Sequence, residues 1–142
     1  MSADAAIAAP PHDGGDRASP HFRWAEFAVS PSRPDLAEPV PAALRPRIRR
    51  LAATVLEVLR RDLGAPVTVT SGYRSPALNR AVGGSPTSQH VAGEAADLTV
   101  AGHDAVRVFR HLLLRTPLLP TGQVIVYPDR DFVHVALPSR TY

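Results

Sequence analysis

The clearest hydrophobic pattern in the chain runs from Leu44 to Leu63. Apolar residues recur there at every third or fourth position, and the arginines fall between them. This spacing puts the apolar side chains on one side, so it predicts an amphipathic helix with its arginines facing outward. Pro41 suits the first turn of such a helix, and Gly64 suits the position just beyond its end.

Further elements follow along the rest of the chain. Helical spacing returns in residues 102–116, where Pro117 and Pro120 stop the pattern. A long irregular loop over residues 74–90 is expected to contain a short helix at residues 76–82. Four short segments rich in apolar and β-branched residues predict strands. These strands are expected within residues 66–75, 94–100, 122–128 and 131–137.

The order of these elements indicates the class of fold. A helix and a strand are followed by a long loop, a strand, a helix and a final pair of strands joined by a short turn. We therefore predict an α+β fold in which a small, largely antiparallel sheet carries helices packed on one face. The length of 142 residues suits a single domain, which we expect over residues 21–142.

Residues 1–20 differ in composition from the rest of the chain. They are rich in Ala, Pro, Gly and Asp, and we interpret them as a flexible N-terminal arm. Three aromatic residues follow this arm directly and are expected to pin it to the core. These residues are Phe22, Trp24 and Phe27.

The composition narrows the chemistry that the chain can support. There is no cysteine, which excludes disulfides and thiolate ligands, so any metal must be held by histidine and carboxylate. All 16 basic residues are arginines. They cluster partly at residues 44–50 and 58–61 without interleaved aromatic residues, so a nucleic-acid surface is not supported. No apolar run approaches the roughly 20 residues needed to span a bilayer.

Two histidines and one aspartate form the strongest candidate site. His90 and Asp97 flank Gly93, which lets the chain turn so that both side chains point at one centre. His134 lies within the last predicted strand, among apolar neighbours, where a buried imidazole needs a polar partner. Two histidines and a carboxylate can bind zinc and leave a coordination position open. In an alternative pairing, His90 and Glu94 would share one helical face, but Gly93 makes a helix there unfavourable.

Other residues are candidates for catalysis and substrate binding. Asp131 precedes His134 by three positions and could serve as a general base, or simply as a turn residue. Arg74 follows a strand and could clamp a substrate carboxylate through its planar guanidinium, or lie on the surface. Weaker candidates for substrate contacts lie nearby in the sequence: Tyr73, Ser88 and Gln89.

Several of these residues form a pattern that resembles the zinc D-alanyl-D-alanine carboxypeptidase family, with its vancomycin-resistance D,D-dipeptidases and certain phage endolysins. Ser88, His90 and Asp97 match S-x-H-x-x-x-x-x-x-D, while Asp131 and His134 match acid-x-x-H. The resemblance covers roughly residues 21–137. It implies a metallo-D,D-peptidase or hedgehog-like fold and zinc on His90, Asp97 and His134. It also implies Asp131 as base, with Arg74 and Ser88 holding or polarising the substrate.

The chain departs from this family at two positions. Many relatives have an aspartate two residues after the last ligand histidine, where this chain has Ala136. Some relatives carry a histidine two residues before it, where this chain has Phe132. The family also includes members that keep the fold with altered or absent peptidase activity.

The resemblance leads to a specific functional expectation. We expect a monomeric zinc peptidase that hydrolyses peptides of bacterial peptidoglycan, first among them a D-Ala-D-Ala type bond. The N-terminus shows no signal-peptide pattern, so we expect synthesis in the cytoplasm and an unknown export or phage-lysis route to the wall. One alternative is a non-catalytic peptidoglycan-binding or phage structural module with a structural zinc site. Another is a metal-free, arginine-rich binding protein.

Overall fold

A computed structural model describes residues 15–139 and gives the following elements. The strands are β1 (Arg17–Ser19), β2 (Phe22–Arg23), β3 (Val67–Ser71), β4 (Ala95–Val100), β5 (Gln123–Tyr127) and β6 (Phe132–Ala136). The α-helices are α1 (Arg45–Leu51), α2 (Glu57–Leu63), α3 (Pro76–Ala81) and α4 (Ala105–Arg115). Short 3₁₀ turns cover Trp24–Phe27, Pro34–Leu36, Ala42–Leu44 and Thr116–Leu118.

The helix predicted from Leu44 to Leu63 is confirmed as one continuous helical segment. Helices α1 and α2 are joined by a π-helical turn, Ala52–Leu56, in which the backbone stays helical. The segment ends at Gly64, whose φ of 60° is left-handed. Glycine adopts this conformation without the steric cost that a Cβ atom would add. The predicted short helix is also present as α3, where the Ser75 hydroxyl accepts a hydrogen bond from Leu78 N.

The main sheet is antiparallel, with strand order β3-β4-β6-β5. Because side chains alternate across a strand, every second residue of β4 and β6 faces the helices. Leu98, Val133 and Val135 on that face are completely buried. They share one core with apolar side chains of the helical segment and of α4, including Ile48, Leu51, Val55, Val108 and Leu112. The predicted α+β fold, with helices on one face of the sheet, is confirmed.

The N-terminal part of the described chain packs on the first helices. Strands β1 and β2 pair antiparallel, and Ala18 and Ser19 are buried, so packed structure begins before residue 20. Residues 1–14 of the expected arm lie outside the described residues. The three aromatics that follow lie in the core: Phe22 and Phe27 are fully buried and Trp24 nearly so.

Glu57 on α2 fastens this N-terminal hairpin to the helix. Its Oε2 accepts hydrogen bonds from Ser19 Oγ at 2.6 Å and from His21 N at 2.8 Å. Its Oε1 lies 2.7 Å from His21 Nδ1. Burial alone would raise the pKa of Glu57, but the hydrogen bonds from Ser19 and His21 outweigh burial and lower the pKa from its usual 4.5.

The Glu57→Gln variant is expected to lower the free energy of unfolding at pH 7 by about 1–2 kcal/mol, because the amide loses charge-assisted bonds to the hairpin. The lowered pKa in the folded state means that the carboxylate stabilises the fold above the unfolded pKa. This contribution disappears as the pH falls through the folded value. The difference between wild type and variant should therefore shrink below about pH 4.5.

Denaturant unfolding at pH 7 and at pH 3 measures this difference. The Glu38→Gln variant is the matched control, since Glu38 is exposed. A difference between wild type and Glu57→Gln that is the same at both pH values would contradict the assigned role of the carboxylate.

Candidate metal centre

The register of β4 and β6 brings the first two candidate ligands together. Asp97 is paired directly with His134 across the two strands. Residues opposite each other on one face have Cβ atoms about 4.5–5.5 Å apart, so these two side chains are neighbours. The Asp97 Oδ1 atom lies 2.9 Å from His134 Nδ1.

His90 joins them from the loop that precedes β4. Its Nε2 lies 3.3 Å from Asp97 Oδ1, and the residue is only 3% exposed. Gly93 has a φ of 73°, a conformation that favours glycine, so the chain can turn between His90 and Asp97 as expected from the sequence. One potential ligand atom from each of His90, Asp97 and His134 lies within 4.8 Å of the others.

The second nitrogen of His90 is held by the backbone. His90 Nδ1 lies 2.8 Å from the carbonyl oxygen of Gly72. A carbonyl only accepts hydrogen bonds, so Nδ1 carries the proton and the Nε2 lone pair of the neutral ring points toward Asp97. A backbone carbonyl in this role fixes both the tautomer and the orientation of a metal-binding histidine.

The electrostatics of the cluster suit a cation. Burial alone would raise the pKa of Asp97, but the His134 and His90 rings, which donate hydrogen bonds to it and are positively charged when they are protonated, hold that pKa well below its usual range. Asp97 is therefore a carboxylate, and lone pairs converge on a small volume. Zinc takes imidazole nitrogen and carboxylate oxygen as ligands, so the donor set formed by His90, Asp97 and His134 fits this ion and leaves room for a fourth ligand.

The cluster lies on the floor of an open cavity of about 760 Å³. The floor is the sheet face opposite the helices, and the loop over residues 82–89 forms part of the rim. Sheet residues on this floor include Thr70, Asp97, Gln123, Ile125, Tyr127, Phe132 and His134. Of the described residues that line the cavity, Asp97 alone carries a carboxylate.

Arg74 reaches this cavity because of an irregularity in β3. Val69 pairs with Leu98 and Ser71 pairs with Asp97, so one extra residue on β3 is accommodated as a bulge, which re-aims the chain after it. Arg74 Nη2 lies 3.8 Å from Asp97 Oδ2. Burial lowers the pKa of Arg74, but a guanidinium stays charged in a protein.

A buried asparagine orients the Arg74 side chain. Asn79 on α3 is 3% exposed, and its Oδ1 accepts a hydrogen bond from Arg74 Nη1 at 3.3 Å. Its Nδ2 donates to the carbonyl oxygen of Ser85 at 2.8 Å. A Cβ atom on Gly84 would lie 2.0 Å from Asn79 Oδ1, so only glycine allows the rim to approach the asparagine this closely.

Two of the weaker candidates for substrate contacts, Ser88 and Gln89, line the cavity. The Ser88 hydroxyl accepts a hydrogen bond from His90 N at 3.2 Å and keeps its own proton to donate. Gln89 uses its Nε2 to donate to Leu137 O at 2.8 Å. Ser88 can therefore contact a ligand more readily than Gln89, whose amide nitrogen already supports the fold.

Tyr73 is placed differently from the prediction. Its side chain belongs to the hydrophobic core, with 8% of the residue exposed, and it is not among the residues that line the cavity. Its backbone N donates to Phe27 O at 2.8 Å. This placement does not support the predicted substrate contact from Tyr73, because the chain leaving β3 turns the ring toward the N-terminal segment.

Asp131 is also placed away from the cluster. Its Oδ1 accepts a hydrogen bond of 2.7 Å from Ala105 N, at the first turn of α4, and it does not line the cavity. Side-chain alternation explains this, since His134 and Phe132 face the cavity while Asp131 precedes them in the turn with a φ of 56°. As described, the carboxylate satisfies an otherwise unpaired N–H of α4 and is not beside the metal ligands.

The alternative pairing of His90 with Glu94 is not formed. Among the described residues, the group able to hold a metal contains His90, Asp97 and His134 but not Glu94. Glu94 is buried, and its carbonyl oxygen accepts a hydrogen bond from Leu137 N. Its backbone thus extends the pairing of β4 with β6, in agreement with the expectation that Gly93 disfavours a helix there.

Sequence reasoning missed Gln123 and Asn79. Gln123 lies on β5 with its Oε1 3.0 Å from His134 Nε2. Gln123 precedes Ile125 by two residues, so the two side chains lie on one face of the strand. The alternation of side chains along the predicted strand could therefore have indicated this placement. Asn79 had no comparable signal, since a polar residue on a short helix is usually exposed.

The comparison with known families agrees with this fold and this cluster. The Peptidase M15 family matches residues 20–136, which is most of the chain. The chain therefore belongs to the Peptidase M15 family, the family of zinc D-alanyl-D-alanine carboxypeptidases and related metallopeptidases. A search of curated proteins found no match. Among the described residues, no helix combines the length and apolar character needed to cross a membrane.

Zinc binding tests the metal centre directly. We expect the wild-type protein to bind one equivalent of zinc, and Asp97→Asn to weaken binding by more than about 100-fold, since loss of a ligand should exceed the 10- to 100-fold effect of losing its supporting contacts. Zinc should raise the Tm of the wild type and not that of the variant, because a ligand stabilises only the state that binds it.

Titration against a chromophoric chelator and thermal unfolding measure these effects. Asp129→Asn, a change in the exposed turn before β6, is the matched control and should bind zinc as the wild type does. Equal zinc affinity in Asp97→Asn and wild type would rule out this cluster as the metal site. A wild type that binds no metal would favour the metal-free binding protein instead.

Proposed function

We propose that the protein is a monomeric zinc peptidase that cleaves peptides of bacterial peptidoglycan, with a D-Ala-D-Ala type bond bearing a free carboxylate as its first substrate. The observation that supports this most directly is the pairing of two features in one cavity. The potential ligands His90, Asp97 and His134 lie within 4.8 Å of one another, and the Arg74 guanidinium lies 3.8 Å from Asp97. A bound zinc ion would polarise the scissile carbonyl and acidify a water molecule.

The position of Arg74 determines how the substrate would be oriented in the cavity. Arg74 lies at the β3 side of the cavity floor, and its guanidinium can hold a carboxylate in a bidentate arrangement. The scissile carbonyl would then lie over the metal ligands on β4 and β6. The acyl part would extend toward β5, over the stacked rings of Tyr127 and Phe132, whose centroids are 4.6 Å apart.

Asp131 is the proposed acceptor of the proton from the attacking water. To act in this way its carboxylate must leave Ala105 N, to which it is bonded at 2.7 Å, and turn toward the cavity. The proposal retains Asp131 because Asp97 is the one carboxylate among the described cavity residues and is committed to the metal. A short turn between two strands is the kind of segment that can undergo such local movement.

Replacing Arg74 by lysine should separate carboxylate recognition from the chemical step. Lysine keeps the charge but loses the planar fork, so kcat/KM for a D-Ala-D-Ala peptide with a free C-terminus should fall about 10- to 100-fold, the value of one charge-assisted hydrogen bond. The same peptide with an amidated C-terminus should be cleaved slowly and equally by both proteins. Arg80→Lys, an exposed change on α3, is the control.

Chromatography of the released product, which is D-alanine from the free peptide and D-alaninamide from the amidated one, gives both rates. An equal drop for the free and amidated peptides would contradict the clamp. Faster cleavage of peptides that are amidated, or joined to a further residue, would indicate an endopeptidase in place of a carboxypeptidase.

Replacing Asp131 by asparagine separates catalysis from helix capping. The amide oxygen can still accept from Ala105 N, and asparagine tolerates the φ of 56°, so fold and zinc content should be unchanged. If Asp131 is the base, turnover should fall by about 10²- to 10⁴-fold. Asp131→Ala should show the same loss of turnover with an added loss of stability of about 1 kcal/mol from the missing cap.

Mass spectrometry of muropeptides after digestion provides the rate for each Asp131 variant. Hydrolysis by Asp131→Asn at the parental rate would reject the assigned base while leaving the zinc peptidase proposal intact.

The second candidate function is a non-catalytic module that binds wall peptides and keeps zinc for stability. It is favoured by one observation: the described cavity has Asp97 as its single carboxylate and no free acid beside it. Incubation of purified peptidoglycan with and without a chelator distinguishes the two. Peptide release that stops with the chelator supports the peptidase, whereas binding to the wall without release supports the module.

A further inference from the structure

Gln123 contacts the side of His134 that faces away from the other metal ligands. His134 Nδ1 lies 2.9 Å from Asp97 Oδ1, inside the cluster, and His134 Nε2 lies 3.0 Å from Gln123 Oε1. Gln123 pairs in register with Ala136, and Ile125 pairs with His134. The glutamine therefore reaches the imidazole diagonally across the β5–β6 pair, a distance that long side chains can span.

The chemistry of this contact determines which nitrogen can bind a metal. An amide oxygen only accepts hydrogen bonds, so Nε2 must carry a proton to satisfy it. His134 Nδ1 also faces an acceptor, Asp97 Oδ1, and donates to it when it carries a proton. A zinc ligand must present a lone pair, so zinc takes the place of the Nδ1 proton, while Gln123 keeps the proton on Nε2. Nδ1 is the nitrogen that points to Asp97 and His90.

We propose that Gln123 is a positioning residue that holds His134 in the tautomer and orientation needed for metal binding through Nδ1. It is the counterpart of the Gly72 carbonyl, which fixes His90 through Nδ1 and leaves Nε2 for the metal. The two histidines thus use opposite nitrogens, each because its other nitrogen has a fixed acceptor. This inference rests on the metal centre of the proposed function and is independent of the bond that is cleaved.

The Gln123 side chain is uncharged, which also suits a residue that positions His134. With zinc bound, Asp97 contributes the single negative charge among the three ligands, so the centre keeps a net positive charge. A carboxylate at position 123 would hold the imidazole proton more strongly but would also cancel that charge. The amide orients the ring without reducing the positive charge that acidifies a bound water.

The test compares Gln123→Leu and Gln123→Glu in the full-length protein. Leucine has a similar size and no acceptor, so zinc affinity measured against a chromophoric chelator should fall about 10- to 100-fold, as for other contacts that support a metal ligand. Glutamate keeps an acceptor and should restore the affinity. Thr68→Val, an exposed change on β3 of the same sheet, should leave the affinity unchanged.

A spectroscopic measurement separates positioning from a general effect on folding. Long-range ¹H–¹⁵N spectra of the zinc-loaded wild type should show His134 with Nε2 protonated and Nδ1 bound to metal. Wild-type affinity in Gln123→Leu, or a spectrum with Nδ1 protonated in the zinc-loaded wild type, would overturn the inference while leaving the metal centre in place. A wild type that binds no zinc would overturn both, which distinguishes failure of the metal centre from failure of this role.

Discussion

The antiparallel pairing of β4 with β6 is the constraint on which the rest of the site depends. It places Asp97 opposite His134 on one face, and the alternate residues Leu98 and Val133 in the core on the other. A shift of one residue in this register would turn the apolar side chains toward water and the ligands toward the core. The hydrophobic effect that holds the strands in register therefore also holds the two ligands together.

In this arrangement one face of the sheet forms the hydrophobic core and the other carries the candidate site. The face toward the helices buries apolar area, at about 25 cal/mol per Å², and supplies the stability of the domain. The opposite face carries the polar cluster and the cavity, where burial of Asp97 costs free energy that the histidines and Arg74 offset. The loops complete the polar face, since His90 and Arg74 both lie just outside the strands.

Much of the fold and of the metal-ligand cluster could be predicted from the sequence, because local periodicity and a short motif encode them. The helix between Leu44 and Leu63, and the convergence of His90 and Asp97 on His134, follow from spacing and from a known family pattern. Long-range contacts could not be predicted in this way. Asp131 bonds to Ala105, 26 positions away, and no local signal indicates which helix end a turn residue will cap.

Tyr73 and Gln123 also show that local sequence does not determine which side chains reach the site. Tyr73 lies beside Arg74 in sequence, but the bulge in β3 and the contact with Phe27 turn its ring into the core. Gln123 lies far from the other site residues in sequence and reaches His134 only through the pairing of β5 with β6. Side-chain direction at such positions depends on the register and bulges of the whole sheet, which single-residue patterns do not contain.

The peptide groups around Gly72 link the N-terminal segment to the metal centre. Gly72 O holds His90, and the next residue donates its N–H to Phe27 O. A Cβ atom on Gly72 would come within 2.7 Å of the Phe27 backbone, so the backbone segments around Gly72 and Phe27 lie in direct contact. The aromatic segment thus supports the backbone that holds His90. A shortened chain that begins after residue 28 would lose part of this support even though every metal ligand remained.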